Sequence, residues 1–130
     1  MADLNRSIEE LENDFWGEPE FGSYVVRTCH QARKKPIRLL SAEEIRCLTG
    51  QKIGLRYLLP VAVDLLQHDP LMEVTYFEGD LLLTLLRLDA ADWEQNPDAR
   101  ERFRTILQSN RPQIAACSDI PEKLLEQYGL

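Results

Sequence analysis

Apolar positions are densest between Ile53 and Leu88. The run IGLRYLLPVAVDLLQHD carries Leu55, Leu58, Leu59, Val61, Ala62, Val63, Leu65 and Leu66, with charge between them only at Arg56 and Asp64. A helix apolar on nearly every side belongs inside a core. The spacing predicts this central helix from near residues 52–54 to His68. Pro60 falls within it, where proline removes a backbone donor and crowds the carbonyl four residues earlier. A kink, or an irregular start before Pro60, is therefore expected. Asp69-Pro70 ends the run. A second apolar run, DLLLTLLRL, predicts a largely buried helix over 81–88, capped by Gly79 or Asp80. Residues 71–78 between them read as a loop. Within it, 74–77 resembles a very short strand with nothing evident to pair with.

The flanking segments show helix-start signals at regular intervals. SIEE from Ser7 is a capping box, in which hydroxyl and carboxylate each satisfy an amide of the other's residue. It predicts a short helix over 7–14, ending near Gly17. Ser23 opens a helix over 24–34, with Tyr24, Val25, Thr28, Cys29 and Ala32 facing inward. Arg27, Gln31, Arg33, Lys34 and Lys35 are left to solvent, and Pro36 ends the helix. SAEE from Ser41 is a second capping box, leading to about Thr49 with Ile45 and Leu48 inward. Gly50 is expected just past that helix, where φ is often positive. DAADW from Asp89 opens a turn of helix. Asn96-Pro97-Asp98 supplies a cap, a first-turn proline and a first-turn acid; its helix carries Phe103, Ile106 and Leu107 and stops before Pro112. A last short helix begins near 118–122 with Leu124 and Leu125, and the final Tyr-Gly-Leu is expected to fray. The pattern is all-α: a compact bundle of about six to eight short helices around a buried central helix, forming one domain over residues 1–130.

Charge changes this picture little within the core and more at the surface. There are 15 basic and 22 acidic residues, a net charge of −7, which disfavours general phosphate binding and suits a basic partner. The acids are unevenly placed. Residues 1–20 carry seven acids and one arginine, residues 21–60 eight basic and two acidic side chains, and residues 61–99 nine acids and one arginine. Cys29, Cys47 and Cys117 are odd in number and widely spaced, which points to reduced thiols rather than a disulfide framework or zinc site. The acidic N-terminus has no apolar core of a signal peptide. The uncharged run within the central helix is far shorter than the ~20 residues of a membrane span.

Motifs that would carry chemistry are sparse. GQKIG, from Gly50 to Gly54, lacks phosphate-loop spacing and a preceding strand. Cys29 and His30 are neighbours on one helix and point about 100° apart, which does not suit a nucleophile and its base. His68-Asp69 has no partner at metal-ligand spacing. Asp89, Asp92 and Glu94 lack the opposed environments of an acid–base pair. Trp16, Trp93, Phe15, Tyr76 and Phe77 read as core or cap aromatics before they read as a platform. Catalytic residues, metals and cofactors are therefore not expected. Residues 41–66 admit a helix-turn-helix reading, but its second helix is too apolar to read base edges.

Four stretches in order carry a family resemblance: SIEELENDFWGEP from Ser7, VRTCHQARKKP from Val26, GQKIGLRYLLP from Gly50 and EGDLL from Glu78. Together, over about 7–93, they resemble the immunity proteins of bacterial contact-dependent growth inhibition systems. Glu78 stands where the family pattern would carry proline. The resemblance implies a non-enzymatic cytoplasmic inhibitor. Its partner would be the C-terminal toxin domain of a large exported effector, often a nuclease, bound 1:1 with its active site occluded. It implies no nucleic acid or membrane partner. It carries over no contact residue, so the expected toxin-binding positions follow charge and aromaticity. They are Asp69, Glu73, Glu78, Asp80, Asp89 and Asp92 on the acidic 61–99 segment, Tyr76 and Phe77 as loop anchors, and Glu9, Glu12 and Asp14 on the acidic first helix.

Overall fold

The computed structural model describes residues 3–18 and 22–130. They form an all-α fold. In order come α1 (Ile8–Glu12), α2 (Tyr24–Ala32), α3 (Ala42–Gly50), α4 (Leu55–His68), α5 (Asp80–Leu86), α6 (Ala90–Trp93), α7 (Pro97–Ser109) and α8 (Arg111–Ala115). Short 3-10 segments cover Ile37–Leu39 and Glu122–Tyr128. No sheet forms among the described residues; two isolated antiparallel bridges join Ser7 to Pro36 and Glu73 to Glu78.

The start signals act as their chemistry requires. Ser7 and Ser41 each accept from the amide three residues on, and Glu10 and Glu44 return a carboxylate to the serine amide. Asp89 and Asp92 close a third reciprocal box at the start of α6. Ser23 caps α2. Asn96 occupies the cap of α7 with Pro97 in the first turn, but its side chain makes no capping bond and its Nδ2 is buried without a partner.

The central helix is where the apolar pattern places it. Leu58, Leu59, Ala62, Val63 and Leu66 of α4 are buried, and α4 packs against α3, α5, α6 and α7. Pro60 is accommodated within one continuous element whose start is irregular: the Gly54 carbonyl accepts from both Tyr57 and Leu58. In α5, Leu81, Leu82, Leu83, Leu85 and Leu86 are all buried. Thr84, the polar residue among them, returns its hydroxyl to the Asp80 carbonyl at 2.9 Å. Thr49 does the same in α3, donating to the Ile45 carbonyl at 2.8 Å. A polar group on a packed helix is tolerated when its own backbone satisfies it.

Two apolar clusters result. The larger joins α4, α5, α6 and α7 with Ile114, Ile120, Leu125 and Tyr128. The smaller joins Ile8, Cys29, Ala32, Ile37, Cys47, Leu48 and Leu58. Leu40 and Val61 touch both. Gly54 lies against Ile8 of the smaller cluster, with φ +65°, and an added Cβ would lie 2.8 Å from Ile8 Cδ1. Only glycine combines that backbone with that contact.

Four expectations need correction. Arg33 is not left to solvent; it is 1% exposed. Tyr24 does not face inward; it is 57% exposed. Gly50 is the last residue of α3 rather than its terminator, and the left-handed positions follow at Lys52 and Gly54. The 74–77 stretch lies in the loop expected over 71–78, and its flanks Glu73 and Glu78 bridge across it. The C-terminal tyrosine does not fray: Tyr128 is 2% exposed and packs edge-on against Phe103. Arg33, Tyr24 and Tyr128 are placed by partners distant in sequence, which periodicity does not encode.

Candidate functional site

The loop between α4 and α5 is built around one carboxylate. Asp80 is 3% exposed. Its Oδ1 accepts from the Val74 amide at 2.9 Å, and its Oδ2 from the amides of Thr75 and Tyr76 at 2.8 Å each. Burial alone would raise its pKa; the three amides, helped by the nearby Arg46 charge, overcome this and hold it below the usual carboxylate value. The loop base closes through the Gly79 amide, which donates to the carbonyls of Leu71 and Met72. Gly79 makes this turn with φ +86°. A Cβ there would come within 3.0 Å of Ile120 Cδ1.

The loop is also braced from α3. Arg46 Nε donates to Thr75 Oγ1 at 2.9 Å, and its guanidinium carbon lies 4.9 Å from the centroid of the Tyr76 ring. Tyr76 is thereby held outward with 65% of its surface exposed. Phe77 is half-buried, while Asp69, Glu73 and Glu78 are exposed and form no ion pair among the described residues.

Glu12, Asp14, Asp89 and Asp92, also expected at the surface, are engaged elsewhere. Glu12 Oε1 accepts from Arg33 Nη2 at 3.1 Å, and the Asp14 carbonyl accepts from the same nitrogen at 2.8 Å. The guanidinium carbon of Arg33 lies 3.7 Å over Trp16, whose indole N–H donates to Asp14 Oδ2 at 3.0 Å. This latch pins the segment after α1 to the end of α2. Glu9 is half-buried, and its amide donates to the Arg33 carbonyl. Asp92 Oδ2 lies 3.0 Å and Asp89 Oδ2 3.9 Å from Lys52 Nζ, so these two acids are partly neutralised by the turn before α4. Of the eleven expected positions, the structure groups Asp69, Glu73, Tyr76, Phe77 and Glu78 on one loop. Asp80 is the internal support of that loop.

Arg46 and Tyr24 were not among the expected positions. The signal for Tyr24 was its place in the first turn of α2, at the helix edge, where its hydroxyl reaches Glu43 of α3 at 2.8 Å. Arg46 carries no local signal, because its partners lie 29 and 30 residues away on the loop.

The alternative chemistries find little support in the geometry. Cys29 is buried with its Sγ 3.5 Å from Cys47 Sγ, and burial together with that contact pushes its pKa up to about 12. Such a thiol stays protonated and shielded near neutral pH. His30 instead bonds the Gly17 carbonyl through Nδ1 at 3.1 Å. No group of three or more His, Cys, Asp or Glu suited to a metal occurs among the described residues. No helix among them is long and apolar enough to cross a membrane. The core position of α4 withdraws it from use as a DNA-reading helix. Trp93 is a core residue, so the aromatics do not assemble into one platform.

The described residues thus form a helical scaffold that displays a braced acidic loop. The sequence model of the CDI immunity proteins matches residues 10–103, and the chain belongs to that family. The matched span runs from Glu10 of the first capping box to Phe103, midway along α7, and includes the whole 69–80 loop. Neither a curated protein nor a solved structure matches the chain.

Proposed function

We propose that this protein binds the C-terminal toxin domain of its cognate contact-dependent growth inhibition effector and neutralises it in the cytoplasm. The observation that carries this is the family match over 10–103. The complex is 1:1, and the protein contributes no catalytic step. The toxin is a nuclease with a basic substrate cleft, and the immunity protein covers that cleft. Support comes from charge. The protein carries a net −7, and its exposed loop acids Asp69, Glu73 and Glu78 are unspent on internal ion pairs among the described residues. Opposed charge of this kind speeds association and discriminates among partners. Nucleic acid and membrane are not its partners.

The test is direct. The toxin domain encoded next to this protein is expressed alone and with it. Co-expression restores growth, and titration calorimetry gives one toxin per protein. Growth arrest that persists at full expression of the soluble protein, with no heat of binding, rejects the proposal. Nuclease assays on the free and bound toxin then test the substrate class and the covering of the active site.

A further inference from the structure

We propose that the toxin is gripped by a preformed ridge on α3 that presents two tyrosines, Tyr76 and Tyr24, and that Arg46 and Asp80 act as positioning residues for it. The proposal rests on the toxin-binding reading above and names its surface.

Glu43 and Arg46 lie three residues apart on α3 and therefore share a face. Each holds one exposed tyrosine. Glu43 Oε1 accepts the Tyr24 hydroxyl at 2.8 Å, and the Arg46 guanidinium sits beneath the Tyr76 ring. Tyr24 and Tyr76 are 57% and 65% exposed. Neither ring is loose. Tyr76 is fixed through its own amide by Asp80 and through its ring by Arg46, and the adjacent Thr75 is fixed by both. Tyrosines held in place before binding lose little freedom on binding, and this is the chemistry found at energetic centres of interfaces.

The rim sets the partner. Glu73 and Glu78 bridge to each other across the base of the Tyr76 loop and project exposed side chains, as does Asp69. Arg46 spends its charge inward, on Thr75, Tyr76 and the neighbourhood of Asp80. The loop therefore shows apolar ring faces within uncompensated negative charge. It fits a protein surface with lysine or arginine side chains around a recess that admits an aromatic ring.

Among the described residues, another exposed aromatic near acids is Phe15, 62% exposed beside Asp14. It provides the rival surface. Affinities for the toxin domain are measured by calorimetry for the wild type, Tyr76→Ala, Tyr24→Ala, Arg46→Ala, the double variant Arg46→Ala/Tyr76→Ala and Phe15→Ala, with thermal melts showing that each is folded. The expected result is a loss of about 100-fold for Tyr76→Ala and about tenfold for Tyr24→Ala, with Phe15→Ala within about threefold of wild type. Arg46→Ala weakens binding alone but adds nothing once Tyr76 is removed, a coupling that a merely structural arginine would not show. Tight wild-type binding with both tyrosine variants unchanged, or with the loss falling on Phe15→Ala, overturns the ridge and leaves the toxin-binding reading intact. Absence of wild-type binding overturns both.

Discussion

The indole N–H of Trp93 donates to the hydroxyl of Tyr128 at 3.0 Å, closing a link between residues 35 apart in sequence. Phe103 completes the cluster, stacked on Trp93 at 5.3 Å and edge-on to Tyr128 at 5.4 Å. The last 3-10 segment is therefore part of the larger core. Tyr128→Phe keeps the ring and strands the indole donor, which costs about 1 kcal/mol. Tyr128→Ala opens a cavity and costs about 3–5 kcal/mol. Urea melts separate the two, and buried Trp93 should report the change by fluorescence. Equal, small losses for both variants would show that the C-terminal segment does not stabilise the core.

Asp80 predicts an acid limb in the stability profile. Its native pKa lies below the ordinary value of 3.8, because three backbone amides outweigh the cost of burial. As pH falls, the unfolded chain takes up the proton first. The stabilisation from Asp80 is thus complete above about pH 4 and drains as pH falls through the native pKa. Asp80→Asn removes the charge but not the shape, and turns an amide donor toward backbone donors. It should destabilise by about 1–3 kcal/mol at neutral pH. It should also flatten the loss of stability between neutral pH and pH 3, measured by denaturant melts at each pH. An unchanged acid slope in Asp80→Asn would mean that the three amide bonds do not form in solution.

Local chemistry made most of the helices readable, and distant pairing hid the rest. Ser7, Ser41, Asn96-Pro97 and the Leu-rich runs are signals contained within one turn of chain, and each marks a helix start or a buried face. The candidate surface was half legible. Tyr76, Phe77, Glu73 and Glu78 could be named from an acidic, aromatic loop between two buried helices. That Asp80 is internal could not, because a carboxylate that binds amides four to six residues earlier reads as one more surface acid. Likewise Glu12, Asp14, Asp89 and Asp92 counted as free charge until the structure placed Arg33 and Lys52 beside them.

Arg33 is a charged side chain in the role of a core residue. Its guanidinium is covered by Trp16 and bonded to Glu12 and the Asp14 carbonyl, while Nε and Nη1 are buried without partners. A buried cation so incompletely paired is replaceable by an apolar chain of similar length. Arg33→Met should stay within about 1 kcal/mol of wild type, whereas Arg33→Ala, which empties the space under Trp16, should cost about 2–4 kcal/mol. Iodide quenching of Trp16 should rise in Arg33→Ala. A methionine variant as unstable as the alanine variant would show instead that the Glu12 and Asp14 bonds, not the packing, hold the latch.

The three cysteines should separate by reactivity. Cys29 and Cys47 are buried, and the Cys29 thiol is pushed up to about 12 by burial and by its contact with Cys47. Cys117 is half-buried, with its thiol 3.5 Å from the Glu78 carbonyl. Only a thiolate attacks an aromatic disulfide reagent, so the raised Cys29 thiol is held back, and access favours Cys117 over both buried thiols. In native protein at pH 8, one thiol should react readily, and the other two only on unfolding. Cys117→Ser should abolish the fast phase. The same shift sets an alkaline limit. Above the ordinary thiol value of 9.0, the unfolded chain releases the Cys29 proton while the folded chain keeps it, so stability falls as pH rises from about 9 toward 12. Cys29→Ala should soften that fall, and two fast thiols in the native protein would show that the cluster around Cys29 and Cys47 opens far more readily than its packing requires.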